Sequence, residues 1–199
     1  TDVDHWILRE LSETIRQATT ALDNYQFQKA SQKLVDFTWH KLCDHYLEII
    51  KYRLSQGDRV AKYILRLVLL KTLQMLSVFA PHVSEEIYQI VLKGSENWES
   101  ITMSPWPVPV EYDIEKAKMG EIVVAIIAEG RRAKHDAKIP LNKEISQLVI
   151  YTNMYVEELR KATREIAGTL RVRKVEVTSN GKGDRMVPKF PEITISMLP

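Results

Sequence analysis

Apolar residues recur at helical spacing through most of the first 134 positions. Ile7, Leu8, Leu11, Ile15, Ala18 and Leu22 form one such stripe, three to four residues apart as an amphipathic helix requires. Asp4 stands ahead of it as a candidate N-cap, and Asp23-Asn24 breaks it. A second, longer helix is predicted over residues 25–54, with Phe27, Ala30, Leu34, Phe37, Leu42, Tyr46, Ile49 and Ile50 as its apolar positions. Gln56-Gly57-Asp58 reads as a stop followed by a new cap. The third helix, residues 59–80, is apolar on most sides, the pattern of a central bundle helix. Pro81 lacks a backbone N–H and suits a first helical turn. It opens a fourth helix that reaches residue 92 and ends at Lys93-Gly94-Ser95.

Residues 95–110 read as a linker. Its segment Ser104-Pro105-Trp106-Pro107-Val108-Pro109 is stiff and extended, because each proline fixes its own φ and restrains its neighbour. A fifth helix is predicted over 113–134, with Ile122, Val123, Ile126 and Ile127 on one side, and Ile139-Pro140-Leu141 closes that segment. The texture then changes. Residues 145–152 read as a strand, 156–167 as a short helix, 170–178 as a strand and 192–198 as a last strand, with a turn at Asn180-Gly181. The expected fold class is mainly α: an antiparallel helix bundle followed by a small mixed α/β unit. The expected division is a bundle over 1–110, a connecting helix with a basic junction over 111–143, and the α/β unit over 144–199.

Composition refines this picture little. Hydrophobic residues make up 45% and charged residues 27%, the balance of a folded domain. The net charge is only +2, but it is uneven: residues 1–110 carry 12 basic against 13 acidic side chains, and residues 111–199 carry 16 against 13. The most apolar run, residues 63–80, contains Arg66, Lys71 and Gln74, too polar for a lipid span. The chain opens Thr1-Asp2-Val3 with no methionine, which reads as a piece of a longer protein. Cys43 is the sole cysteine, so an internal disulfide and a multi-cysteine zinc site are both excluded.

Candidate chemistry is sparse. Gly181-Lys182-Gly183 lacks the upstream glycine and the Ser/Thr of a phosphate-binding loop, and reads as a hairpin turn. His40, Cys43, Asp44 and His45 share one helix but fall short of three or four converging metal ligands. They read as a polar seam, with Cys43 as a small core residue. Glu85 and Glu86 sit in the first turn of the fourth helix, where carboxylates offset the helix dipole.

The densest basic stretch is Arg131, Arg132, Lys134, Lys138 and Lys143, with Asp136 the only acid from 131 to 143. Cations at a helix C-terminus complement the dipole, and the same cluster suits phosphate contact; both readings stand. Arg160, Lys161, Arg164, Arg171, Arg173 and Lys174 form a second group in the small unit, with Arg171 and Arg173 expected on one strand face. Of the aromatics Trp6, Tyr25, Phe27, Phe37, Trp39 and Tyr46, most are expected in the core.

Several segments resemble the anticodon-binding domain of the class I aminoacyl-tRNA synthetases for valine, isoleucine, leucine and methionine. Asp4-His5-Trp6-Ile7-Leu8 with Leu11 is similar to the Asp-x-Trp-Ile-Leu-x-x-Leu opening of that domain, and Tyr25-x-Phe27-x-x-Ala30 to its next element. Trp39-His40-Lys41-Leu42-Cys43-Asp44-His45-Tyr46-Leu47-Glu48-Ile49-Ile50-Lys51 resembles the valine branch's Trp-x-x-Phe-Cys-Asp-x-Tyr-Leu-Glu-x-x-Lys. Pro81-His82-Val83-Ser84-Glu85-Glu86 and Ser104-Pro105-Trp106-Pro107 resemble two further motifs. The likeness covers roughly residues 1–145. The tail has no sustained heptads and resembles the small appendage of the archaeal valine enzymes.

The resemblance implies a parent enzyme that joins valine to its tRNA through an adenylate, using ATP and magnesium, in the cytoplasm. It implies that this region grips the anticodon arm of a valine-accepting tRNA, beside the catalytic domain of the same polypeptide and away from any membrane. The His-Ile-Gly-His and Lys-Met-Ser-Lys-Ser signatures are absent, so no cofactor and no activity are expected of this piece alone. The family's preceding Asn-Lys-Leu-Trp-Asn-Ala helix, which helps to read anticodon bases, is absent too. Arg131, Arg132, Lys134, Lys138 and Lys143 are therefore expected as phosphate contacts rather than base readers. The alternatives are the same module from the isoleucine, leucine or methionine enzymes, and a helical protein–protein adaptor.

Overall fold

A computed structural model describes residues 1–198. Helix α1 spans Asp2–Asp23. Asp4 is not its cap. It lies in the first turn and points inward, where its carboxylate accepts from the Tyr46 hydroxyl and from Arg53, each at 2.8 Å. A buried carboxylate needs such donors. The buried stripe Trp6, Ile7, Leu11, Ile15 and Ala18 faces the rest of the bundle as its spacing predicts.

The long second helix is realised as one helical run in three parts: α2 over Phe27–Asp36, a π-helical stretch over Phe37–Leu47, and α3 over Glu48–Ser55. Phe37 and Leu42, five residues apart, are both buried. The wider π turn, with its i→i+5 bonds, brings positions five apart toward one face, which an α-helix does not.

Asp58 caps α4, Arg59–Leu76, by accepting from the N–H groups of Val60 and Ala61. This helix differs from the expected central element. Only Ala61, Val68 and the 72–75 stretch are buried, and Val60 and Tyr63 are exposed. Its partner α5, Pro81–Ile87, continues into a π turn at Tyr88–Leu92. Together they close a small separate core of Leu73, Tyr88, Leu92 and Ile101, leaving the N-terminal half of α4 uncovered on one side.

The Pro-rich segment is strapped back onto the bundle. The Glu85 carboxylate accepts from Ser100 Oγ and the Ile101 N–H, both at 2.8 Å. Trp106 Nε1 donates to Thr19 Oγ1 at 2.8 Å, and Ser12 Oγ exchanges hydrogen bonds with the N–H and carbonyl of Val110. The chain then enters α6, Ile114–Asp136, capped by Asp113. This helix lies directly against α1. A Cβ on Gly120 would stand 2.2 Å from the Asp2 carbonyl oxygen and 2.7 Å from Trp6 Cβ.

The tail forms β1 (Ile145–Tyr151), α7 (Val156–Leu170), β2 (Val172–Thr178), β3 (Arg185–Val187) and β4 (Phe190–Leu198). The sheet order is β2-β1-β4-β3, with β1 and β2 parallel and the other pairs antiparallel. Leu148 stands opposite Val175 on one side and Met197 on the other. The three-residue edge strand β3 has no counterpart in the sequence pattern, since it is too short to carry a period. One continuous core runs from Val3 and Trp6 through Ile122–Ile127 to Ile193 and Ile195, so bundle and α/β unit share a single interior around α6. No helix among the described residues is long and apolar enough to cross a membrane.

Candidate nucleic-acid interface

The end of α6 decides what its five cations can do. Ala137 caps the helix and Lys138 turns left-handed at φ +56°, a conformation that reverses the chain at a helix end. The N–H groups of Lys138 and Ile139 close the last turn onto the carbonyls of His135 and Lys134. From this frame the cations part. Lys138, Lys143 and Arg132 are exposed. Arg132 has only a 3.5 Å contact to Glu129, whose other oxygen accepts from Arg185 Nε at 2.7 Å.

Arg131 is half-buried. Its Nη1 donates to the Asp44 carbonyl at 2.9 Å, and Nη2 lies 3.6 Å from Glu48. It ties α6 to the π-helical stretch and α3. Lys134 departs furthest from a phosphate contact: it is fully buried, and its Nζ donates to the carbonyls of Lys143 at 2.6 Å and Leu141 at 3.3 Å. Burial, then the charge of Arg171, holds its ammonium below the ordinary lysine value. Lys134 is a strut that folds the 139–144 loop back under the helix, because those carbonyls have no sheet or helix partner of their own.

A cleft of about 780 Å³ opens between α3, the end of α6, this loop and the end of α7. Lys51, Arg131, Lys134, Arg164 and Arg171 line it, against the carboxylates of Glu48 and Glu144. Both carboxylates are already engaged. Glu48 meets Lys51 and Arg131, and Glu144 pairs with Arg173 from outside the cleft. The surplus is positive. Arg132 lies away from it, on a second, smaller cavity of about 150 Å³ with Trp6, Lys41 and His45. The expected cluster therefore covers two flanks of α6 rather than one.

The sequence pattern places Arg164 and Arg171 in the small unit and Lys51 in the second helix, far apart along the chain. Their meeting at one cleft is a tertiary event with no local signal. Arg171 also leaves its expected strand. It sits at φ +52° as the residue that ends α7, while β2 begins after it, so it does not share a strand face with Arg173.

The expected aromatic core is half right. Trp6, Phe37 and Tyr46 are buried, whereas Tyr25, Phe27 and Trp39 are exposed, at 83%, 56% and 64%. Tyr25 occupies a left-handed turn between α1 and α2 and meets Phe27 edge-on. Cys43 is exposed rather than in the core. Partial desolvation and the neighbouring Asp44 push its thiol up, the opposite of an activated nucleophile. His40 and Asp44 do pair, at 3.1 Å on the surface, and the described residues contain no cluster of three or more metal-ligating side chains. Burial, then Lys41, holds His45 below the ordinary histidine value.

The geometry defines a helical-bundle module that carries a cation-walled cleft. A family model described as the anticodon-binding domain of tRNA ligase matches residues 4–150. The chain belongs to that family of tRNA-ligase anticodon-binding domains. It is 36% identical over 200 residues to the valine–tRNA ligase of Methanothermobacter thermautotrophicus, covering 96% of this chain and 21% of that protein. It is 34% identical to the valine–tRNA ligase of Pyrococcus horikoshii, over 88% of this chain and 20% of that protein. The Bacillus subtilis valine–tRNA ligase is 36% identical over 75% of this chain and 17% of its own length. The chain thus spans about a fifth of the length of the curated relatives it matches.

Proposed function

We infer that this chain is the part of a valine–tRNA ligase that grips the anticodon arm of a valine-accepting tRNA. The observation that carries the reading is the match of nearly the whole chain, at 31–36% identity, to valine–tRNA ligases of several archaea. The exposed cations Arg132, Lys138 and Lys143 supply phosphate contacts that fix the register of the arm. The exposed rings of Trp39, Tyr25 and Phe27 offer faces on which unpaired loop bases stack. In this reading the aminoacylation, with its ATP and magnesium, belongs to a catalytic domain of the same polypeptide, in the cytoplasm. The uncovered apolar side chains Val60 and Tyr63 on α4, Val78 in the turn after it and Val83 on α5 suit contact with such a domain.

The test is binding of the chain to transcripts of valine- and isoleucine-accepting tRNAs across a salt series. Affinity should fall steeply with salt and favour the valine transcript. Replacing Arg132, Lys138 and Lys143 together by alanine should weaken binding and reduce the slope of log K against log salt by about 2.1–2.7, at roughly 0.7–0.9 per lost phosphate contact. Preference for the isoleucine transcript overturns the valine assignment; equal binding is what phosphate contacts without the family's preceding base-reading helix give, and a chain that carries that helix then decides between the two tRNAs. Binding without salt dependence overturns the phosphate reading.

A further inference from the structure

The cleft between the bundle and the α/β unit has a feature that the exposed cations lack: α3 and α7, more than a hundred residues apart in the chain, pack directly on each other beside it. Gly168 of α7 packs on Tyr52 of α3 so closely that a Cβ would lie 2.6 Å from the tyrosine ring. Gly130 of α6 admits Leu170 in the same way, at 2.5 Å. Thr169 Oγ1 donates to the Ile49 carbonyl at 3.3 Å, and Arg53 of α3 stands 3.6 Å from Glu165 of α7. The walls are thus seated before any ligand arrives, which lowers the ordering cost of binding.

On these walls the cations face one space. Lys51 and Arg131 stand on the bundle side, and Arg164 and Arg171 on the side of the C-terminal unit. Arg164 reaches the Tyr52 hydroxyl and pulls its pKa down, and Arg171 donates from Nη1 to the Asn142 carbonyl at 3.3 Å. Neither arginine has a carboxylate partner among the described residues, and both are exposed. Their charge is felt inside: Arg171 adds to the burial that depresses the Lys134 ammonium. Like charges gathered in a concavity repel one another, and an anion relieves that repulsion. Guanidinium groups present planar forks of donors that match phosphate oxygens. The lining also holds the polar side chains of Ser55 and Asn142, which suit a sugar–phosphate chain better than an apolar ligand.

We propose that this cleft holds a stretch of RNA backbone, with Arg164 and Arg171 gripping phosphates from one wall and Lys51 and Arg131 from the other. The C-terminal α/β unit is then one jaw of the RNA site and not a spacer. This rests on the reading that the chain binds a tRNA, and it adds a contact that the exposed end of α6 does not provide.

The test uses the full chain and an RNA hairpin with the anticodon stem-loop sequence of a valine-accepting tRNA, followed by fluorescence anisotropy from about 50 to 200 mM salt, the range over which phosphate contacts show. The double variant R164Q/R171Q should lose about five- to tenfold in affinity and about 1.5 from the salt slope, as expected for two lost contacts. Both side chains are exposed, so the urea midpoint should stay at the wild-type value. R171E alone should weaken binding further than R171Q. Wild-type affinity and slope in R164Q/R171Q, with a fall in the Arg132, Lys138 and Lys143 variant, would overturn the cleft while leaving RNA binding intact. No salt-dependent RNA binding by the wild-type chain would remove the underlying reading and the cleft with it. Equal affinity of the wild-type chain for poly-glutamate would overturn RNA as the occupant.

Discussion

Arg53 Nη1 lies 2.8 Å from Asp4 Oδ1, with both side chains nearly closed off from solvent. Arg53 also meets Asp58 at 2.8 Å and Glu165 at 3.6 Å, so one guanidinium links α1, the start of α4 and α7. Removing one partner from a buried pair leaves an uncompensated charge. Arg53→Met should therefore cost about 3–5 kcal/mol. Urea unfolding checks it: the midpoint should fall with an unchanged slope, and a loss below about 1 kcal/mol would show that water reaches the pair.

The same cluster sets an acid response. Burial pushes the Asp4 carboxyl up, but the hydrogen bond and the charge of Arg53 pull it down, and the pKa lies below the ordinary value. A depressed carboxylate contributes stability that is present above its unfolded value, near 3.8, and is lost as pH falls through the folded value. Glu165 runs the other way, since burial raises it despite Arg53. Its contribution is fully present below its unfolded value, near 4.5, and is lost as pH rises through the raised folded value. Asp4→Asn should thus destabilise at neutral pH and flatten the acid limb below pH 3.8. Glu165→Gln should keep or raise stability at pH 7, with the gain shrinking toward pH 4.5. Thermal midpoints across pH 2–8 read both, and a destabilised Glu165→Gln at pH 7 would reverse the sign assigned here.

Gly120 permits the contact between α1 and α6 on which the shared core is built. Its added Cβ would collide with backbone at Asp2, and backbone cannot yield as a side-chain tip does. Gly120→Ala should cost about 1–3 kcal/mol, the usual price of overpacking, read as a lower urea midpoint. A variant as stable as the wild type would mean that α1 shifts freely on α6.

Lys134 offers a way to separate support from contact. Lys134→Met removes the donor to two loop carbonyls and should cost about 1–3 kcal/mol. Amide exchange at Lys143, whose N–H bonds the Pro140 carbonyl, should quicken. Because the ammonium is enclosed, the salt slope of RNA binding should hold at the wild-type value. A drop of about 0.7–0.9 would instead mark Lys134 as a phosphate contact.

Helical period alone was enough to place α1, α6 and most of the second and fourth helices within a few residues, because apolar stripes record which face is buried. It also gave the order strand, helix, strand in the tail. It did not reveal the π-helical stretch at Phe37–Leu47, which is a choice of backbone bonding that the same apolar residues tolerate in either form. It overestimated the burial of α4, since hydrophobicity records what could be covered and not whether a neighbour is there. Asp4 read as a cap because caps are local, whereas its true partners, Tyr46 and Arg53, are more than forty residues away.

The order of residues by itself determined the bundle, the α/β tail, the lack of a disulfide within this chain and the family motifs, nearly all carried by spacing along short stretches of chain. The tertiary structure alone decided that Lys134 props a loop while Lys138 faces water, and that Lys51, Arg131, Arg164 and Arg171 share one cleft. Charge acts through space, and its reach is set by which helices pack together, at contacts as particular as Gly168 on Tyr52.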